Sequence, residues 1–206
     1  MELSAFQKDA LTELINIGYG RAAGALSELT GHRVTVDVPG VSLHPVEAIG
    51  PILEQTLSAQ VANVNQKFSG PVSGSALLVL NKASADTLAK LLGDRPAAPA
   101  DFETNAKEII KEVGNILLNA CLGAFGNLLQ IHLALSVPSL QFEHASRVMY
   151  NLPGQAGKSA SHGLLVHTHF HVRDTDIGGV MVIALGLASF DRLMSELAKW
   201  EKRVHG

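Results

Sequence analysis

Two stretches of this 206-residue chain lie over each other in register, and that duplication limits the possible folds more than any local signal does. With "DALTELINIGYGRAAGALSEL" placed on "EIIKEVGNILLNACLGAFGNL", Glu13 falls on Glu112, Asn16 on Asn115 and Ile17 on Ile116, each 99 residues on. The same offset carries Pro39, at the end of "HRVTVDVP", to Pro138, at the end of "IHLALSVP". Further along, "SGSALLVLNKASADTLAKLL" matches "GGVMVIALGLASFDRLMSEL", with Gly74 on Gly179, Ser84 on Ser189 and Asp86 on Asp191, at an offset of 105. The six extra residues fall to the Gly-rich "LPGQAGKSASHG", which reads as a loop.

Each copy reads as a long helix, a strand, a connecting segment, two strands and a second helix. In the first helix, Leu3, Phe6, Ala10, Leu14, Ile17, Ala22, Leu26 and Leu29 recur mostly three to five apart, which is helical periodicity. "VTVDV" and "HLALSV" are β-branched or alternating, as strands are. In "LLVHTHFHV", Leu164, Val166, Thr168, Phe170 and Val172 form one face, expected to be buried, and His167, His169 and His171 the other. Ser84 and Ser189 are the expected N-caps of the second helices. The Pro/Ala-rich segment 93–101 is the expected linker between repeats of about 1–95 and 101–200. Two such units merge most simply into a single α/β (α+β) domain with pseudo-twofold symmetry, a central and largely antiparallel sheet with long helices packed on it.

The composition sets the class of partner. Net charge is −3, and no run of Lys or Arg occurs, which argues against nucleic acid or anionic lipid and for a protein or small molecule. A single cysteine, Cys121, excludes an internal disulfide and suits a reducing compartment. Nowhere do about 18 apolar residues run uninterrupted, so the expectation is a cytoplasmic chain with no membrane insertion.

Gly18, Gly20 and Ala23 spell G-x-G-x-x-A, with Asp37 downstream, close to a dinucleotide fingerprint. That fingerprint needs a buried strand before its first glycine. Residues 8–16, "KDALTELIN", space their polar groups as a helix does, and the second copy replaces Gly18 by Leu117 and Gly20 by Asn119. Gly18, Gly20 and Gly24 are therefore expected to serve close helix packing.

What the copies keep is Glu-x-x-Asn. Residues three and four apart share a helix face, so Asp9, Glu13 and Asn16 form one polar stripe and Glu108, Glu112 and Asn115 its counterpart. The pattern Asp/Ser-x-x-x-Glu-x-x-Asn, followed after twenty-two residues by Pro, resembles the active-site signature of the CheC/CheX/FliY family of chemotaxis phosphatases. Asp9, Glu13, Asn16 and Pro39 fit it throughout; Glu108, Glu112, Asn115 and Pro138 depart at the first position, where Glu stands for Asp or Ser. Two motifs in a chain of this size look more like the CheC type than the CheX type.

That resemblance implies hydrolysis of the phospho-aspartate of a CheY-like response regulator. Since the regulator carries the phosphoryl group and a Mg²⁺, the phosphatase needs no cofactor of its own and contributes positioning and electrostatics. Asn16 and Asn115 would each orient the attacking water, because a carboxamide both donates and accepts. Glu13 and Glu112 would pair with a cation in the regulator, Asp9 and Glu108 would make peripheral partner contacts, and Pro39 and Pro138 would be structural. The resemblance also implies the CheD deamidase as a second partner. A flagellar-switch-like binding module of the same fold, without catalysis, is the alternative.

Other candidates are weaker. His167, His169 and His171 point one way but lack further oriented ligands, so they read as an exposed strand face and no metal site is expected. Cys121 reads as a buried small residue. His32 and His132 are expected to cap the ends of the first helices.

Overall fold

The structure, a computed structural model, describes residues 3–92, 99–150 and 160–205. In chain order the elements are α1 (Ala5–Thr30), β1 (Val34–Asp37), β2 (Val41–Pro45), α2 (Val46–Thr56), β3 (Gln60–Ser69), β4 (Gly74–Asn81), α3 (Lys82–Leu92), α4 (Pro99–Leu129), β5 (Ala134–Leu135), β6 (Ser139–His144), a 3₁₀ turn (Ala145–Arg147), β7 (Ala160–Val172), β8 (Thr175–Gly186) and α5 (Leu187–His205). Of the expected linker, 93–98 lie outside the described residues, and Pro99 already belongs to α4. Of the expected Gly-rich loop, 152–163, residues 152–159 also lie outside them, and residues 160–163, expected as loop, instead begin the strand β7, where they pair with β8.

All eight strands join one sheet, in the order β1-β7-β8-β4-β3-β5, with β2 also on β7 and β6 also on β3, and every pairing is antiparallel. The short strands are exchanged: β1 and β2 of the first copy pair with β7 of the second, and β5 and β6 of the second pair with β3 of the first. The copies meet where β4 pairs with β8. There the register is self-complementary, since Gly74 faces Leu185 and Leu80 faces Gly179, which the offset of 105 turns into each other. Leu77 and Val182, themselves equivalent, face one another, so the pseudo-twofold axis passes through that pair.

Alternation along the strands buries both faces. On one side Val64, Leu78, Val166 and Phe170 pack beneath α1, α3, α4 and α5. On the other, Leu77, Val79, Leu165 and Val182 pack beneath Ile49 and Leu53 of α2 and Val148 after the 3₁₀ turn. Full burial of one such side chain stabilises by about 1.5–3 kcal/mol, so a helix anchored by several of them holds its outer face in place.

Local chemistry sets the helix ends. Ser4 caps α1 by accepting from the Gln7 backbone N–H at 3.1 Å, and the Gln7 side chain accepts from the Ser4 N–H at 2.9 Å, a reciprocal capping box. The helix stops at Gly31, whose φ of 69° is left-handed and whose N–H reaches the Ser27 carbonyl. The buried stripe of α1 is Leu11, Ile15, Tyr19, Ala22 and Leu26, whereas Ile17 and Leu29, which shared the apolar periodicity, are 46% and 62% exposed. Two apolar stripes overlap on this helix, and only the Leu11–Tyr19 one faces the sheet.

The expected N-caps are also corrected. Asn81 caps α3 through its side-chain oxygen, which accepts from the Ser84 N–H at 2.6 Å. Ser189 instead lies within α5 and accepts from the Ser73 N–H at 3.0 Å, tying helix to loop. At the end of α1, Gly31 supplies the backbone cap and the His32 ring meets the Arg173 guanidinium. The segment expected to be a mere connection, 46–56, is the helix α2 despite Gly50 and Pro51.

The helices α1 and α4 lie side by side. At Gly18 an added Cβ would sit 3.0 Å from the Ala120 carbonyl oxygen and 3.2 Å from the Cys121 Cα, so close approach needs glycine there. Gly20 and Gly24, expected to serve the same end, have nothing within 4 Å and face outward. Residues Asn105–Asn127 of α4 are apolar and long enough to span a bilayer by length and composition, yet this segment is 56% buried within the fold. Its Ile110, Val113, Leu117 and Leu118 belong to the common core, so it is a core helix.

Candidate functional site

With Leu11, Ile15 and Tyr19 turned to the sheet, helical geometry sends Asp9, Glu13 and Asn16 to the opposite face of α1, and all three are exposed. On α4 the same logic operates. Ile110, Val113 and Leu117 are buried, Glu108 and Glu112 are exposed and Asn115 is half-buried. Neither Glu-x-x-Asn pair points into the hydrophobic interior. The pairs stand at equivalent positions of adjacent helices on one layer of the molecule.

The two stripes differ in how their side chains are held. Around Asn16 no side-chain hydrogen bond occurs among the described residues. Asn115, by contrast, accepts at Oδ1 from Asn119 Nδ2 at 2.9 Å, and its own Nδ2 reaches Glu112 Oε2 at 3.5 Å. Glu108 pairs with Lys111 at 3.2 Å, where the first copy has Thr12 in place of the lysine. Such an exposed pair contributes about 0.3–0.5 kcal/mol at most.

The prolines sit at the strand side of these helices. Pro138 directly precedes β6 and, with Lys107, Glu108, Lys111, Ser139, Leu140 and Phe142, lines an open groove between α4 and β6. Glu108 and Pro138 therefore share one surface feature. Pro39 lies exposed between β1 and β2. Phe142, 43% exposed, gives the groove an aromatic wall, with the Lys82 ammonium 5.9 Å from its ring centre.

Away from the stripes, the strand carrying the histidines has the expected alternation, with Val166, Thr168, Phe170 and Val172 buried. His171 Nε2 lies 3.0 Å from Asp37 Oδ2, and His169 Nδ1 lies 3.5 Å from Asp176 Oδ1. No group of three His, Cys, Asp or Glu side chains among the described residues is arranged to hold a metal ion. Burial pushes the Cys121 thiol far above its ordinary pKa, which keeps it a protonated core residue. Burial likewise raises the Tyr19 phenol, with Cys121 adding to the effect, while a 3.0 Å hydrogen bond with Thr168 opposes it.

The exposed twin motifs can be set beside known proteins. Residues 6–43 match the CheC-like family. That span holds the first stripe and Pro39, and the resemblance read from the motifs is thereby shown. The chain is similar to the CheY-P phosphatase CheC of Bacillus subtilis, 24% identical over 169 residues that make up 79% of this chain and 78% of that one. It is also similar to the flagellar motor switch phosphatase FliY of the same organism, 26% identical over 142 residues, covering 68% of this chain but only 36% of FliY. Among solved structures, Thermotoga maritima FliY superimposes with a TM-score of 0.74 at 18% identity, covering 97% of this chain and 99% of that one. The middle domain of Helicobacter pylori FliM gives 0.64 at 12% identity, over 94% and 99%. At these identities the structural likenesses show the fold, which is the antiparallel α/β architecture expected from the repeat.

One feature at the second stripe escaped sequence reasoning. Asn119 and Gln66 stand behind Asn115, with Gln66 Nε2 donating to Asn119 Oδ1 at 2.9 Å. The usable signal was that Asn119 follows Asn115 by one helical turn. Nothing local identified Gln66, since only the tertiary fold brings β3 beneath α4.

Proposed function

We propose that the chain hydrolyses the phospho-aspartate of a CheY-like response regulator through two sites, one on α1 and one on α4. The observation that carries this reading is the outward presentation of the same carboxylate and carboxamide pair, Glu13 with Asn16 and Glu112 with Asn115, at equivalent places in the duplicated fold. The names of the B. subtilis relatives, a CheY-P phosphatase and a motor switch phosphatase, support it.

The chemistry asked of this chain is small. The receiver brings the phosphoryl group and its Mg²⁺, so what remains is to place one water in line with phosphorus. Asn16 or Asn115 donates to that water through Nδ2 and accepts from it through Oδ1, without acting as a base. Glu13 or Glu112 pairs with a cationic group of the receiver and fixes the depth to which the amide enters. Asp9 and Glu108, one turn earlier, touch the receiver's rim, and Pro39 and Pro138 shape the chain beside the helices. Misplacing the water by about 1 Å costs on the order of 10²-fold in rate, so the asparagines should dominate the effect of mutation.

A non-catalytic switch-like module is the second reading, favoured by the shared fold with a FliM middle domain. The test is the decay rate of a phosphorylated receiver mixed with this protein. The proposal expects acceleration by the parent and a partial loss for Asn16→Ala and for Asn115→Ala. Binding of the receiver with no acceleration would favour the switch-like module instead.

A further inference from the structure

We propose that Asn119 is a positioning residue of the second site, orienting the Asn115 carboxamide through a hydrogen-bonded chain of fixed polarity that begins at a backbone carbonyl. This rests on the two-site phosphatase reading above. The chain starts at Gln66, a β3 side chain only 2% exposed, whose Nε2 donates both to the Ser136 carbonyl oxygen and to Asn119 Oδ1, each at 2.9 Å. A backbone carbonyl can only accept. The NH₂ end of Gln66 must therefore be the end that faces Ser136, and the ambiguity that normally attends side-chain amides is removed at that point.

The polarity then propagates. Gln66 has both hydrogens committed, so the Asn119 atom facing it is the oxygen, and the Asn119 NH₂ is left to face Asn115. Asn119 Nδ2 donates to Asn115 Oδ1 at 2.9 Å, which turns the Asn115 NH₂ toward Glu112 and solvent. An amide held this way offers a donor outward and keeps one oxygen lone pair for a water. A freely rotating amide would spend part of its time with the two ends exchanged.

The first site lacks this device. The repeat places Gly20 where Asn119 stands, and the strand register places Val166 where Gln66 stands. The two sites are thus built unequally, with the second asparagine preset and the first left to be oriented by the receiver.

The test uses an Asn16→Ala protein, in which turnover of a phosphorylated receiver reports the second site alone. Asn119→Asp keeps the size and the acceptor but removes the donor to Asn115, and Asn119→Ala removes both. Both changes are expected to lower kcat about tenfold, the worth of one oriented hydrogen bond, with KM for the receiver held because Glu112 is untouched. An unchanged kcat, or a rise in KM in place of a fall in kcat, overturns the proposal. Should the Asn16→Ala protein show no turnover, the two-site reading fails first, and the side-chain amide NMR signals of Asn115 decide the relay separately. The relay requires them to shift in Asn119→Asp while those of Asn16 stay in place; unmoved Asn115 signals overturn it.

Discussion

Replacing Gly114 by alanine sets two opposing effects against each other. Gly114 lies between Glu112 and Asn115 but faces inward, and an added Cβ would sit 2.5, 2.7 and 2.9 Å from Cγ1, Cβ and Cγ2 of Val64 on β3. Ordinary contact begins at 3.4 Å. The helix must therefore retreat from the sheet by a sizeable fraction of an ångström, or Val64 must leave its place. Overpacking of that kind costs about 1–3 kcal/mol. Alanine returns about 1 kcal/mol of helix propensity. The balance is a loss of roughly 1 kcal/mol, or a fall in Tm of about 2–4 °C for a chain of this size. Gly24, exposed and with nothing within 4 Å, supplies the control, since Gly24→Ala keeps the propensity gain without the clash and should raise Tm by a similar amount. Urea unfolding followed by circular dichroism gives both values on one scale. If Gly114→Ala stabilises as much as Gly24→Ala does, α4 is not seated on Val64 as described, and the placement of Asn115 loses its support.

Three further outcomes follow from buried polar groups and one histidine. Tyr19→Phe removes the hydroxyl that meets Thr168 Oγ1 at 3.0 Å in the core and should lower stability by about 1–2 kcal/mol by chemical denaturation. Asn65, 5% exposed, has a buried Oδ1 with no donor, and its counterpart in the other copy is Leu165; Asn65→Leu should raise stability by about 1–2 kcal/mol in the same assay. His44 is held below its usual pKa of 6.5 by desolvation and then by His167, so the unfolded chain binds the proton more readily. Stability should therefore fall as pH drops below about 6.5, and the fall should be shallower in His44→Gln when unfolding free energy is measured against pH.

The duplication and both motifs were legible in the sequence because each rests on helical spacing, which the chain shows plainly at Glu13 and Asn16 and again at Glu112 and Asn115. The exchange of β1 and β2 for β5 and β6 was not. A repeat says which segments are equivalent, not which of them pair, and the merged sheet is decided by the long-range register through Leu77 and Val182. Helix α2 escaped because Gly50 and Pro51 break its pattern: Pro51, inside the helix, has no N–H to give to the Glu47 carbonyl, and the burial of Ile49 and Leu53 holds the helix on the sheet despite that loss. The cap at Asn81 was missed for a different reason: Asn81 lies at the very end of β4, so its side chain serves the helix that follows while its backbone belongs to the strand. Gly18 packs as anticipated, but Gly20 and Gly24 do not, since residues two and six positions further on turn away from α4.

The most direct test of the whole account is the rate of phosphorus loss from a phosphorylated CheY-like receiver in the presence of the Asn16→Ala, Asn115→Ala double variant, with folding verified by circular dichroism. The account predicts decay at the receiver's own unassisted rate. Decay as fast as with the parent protein would contradict it, because the two outward carboxamides would then have no part in the chemistry.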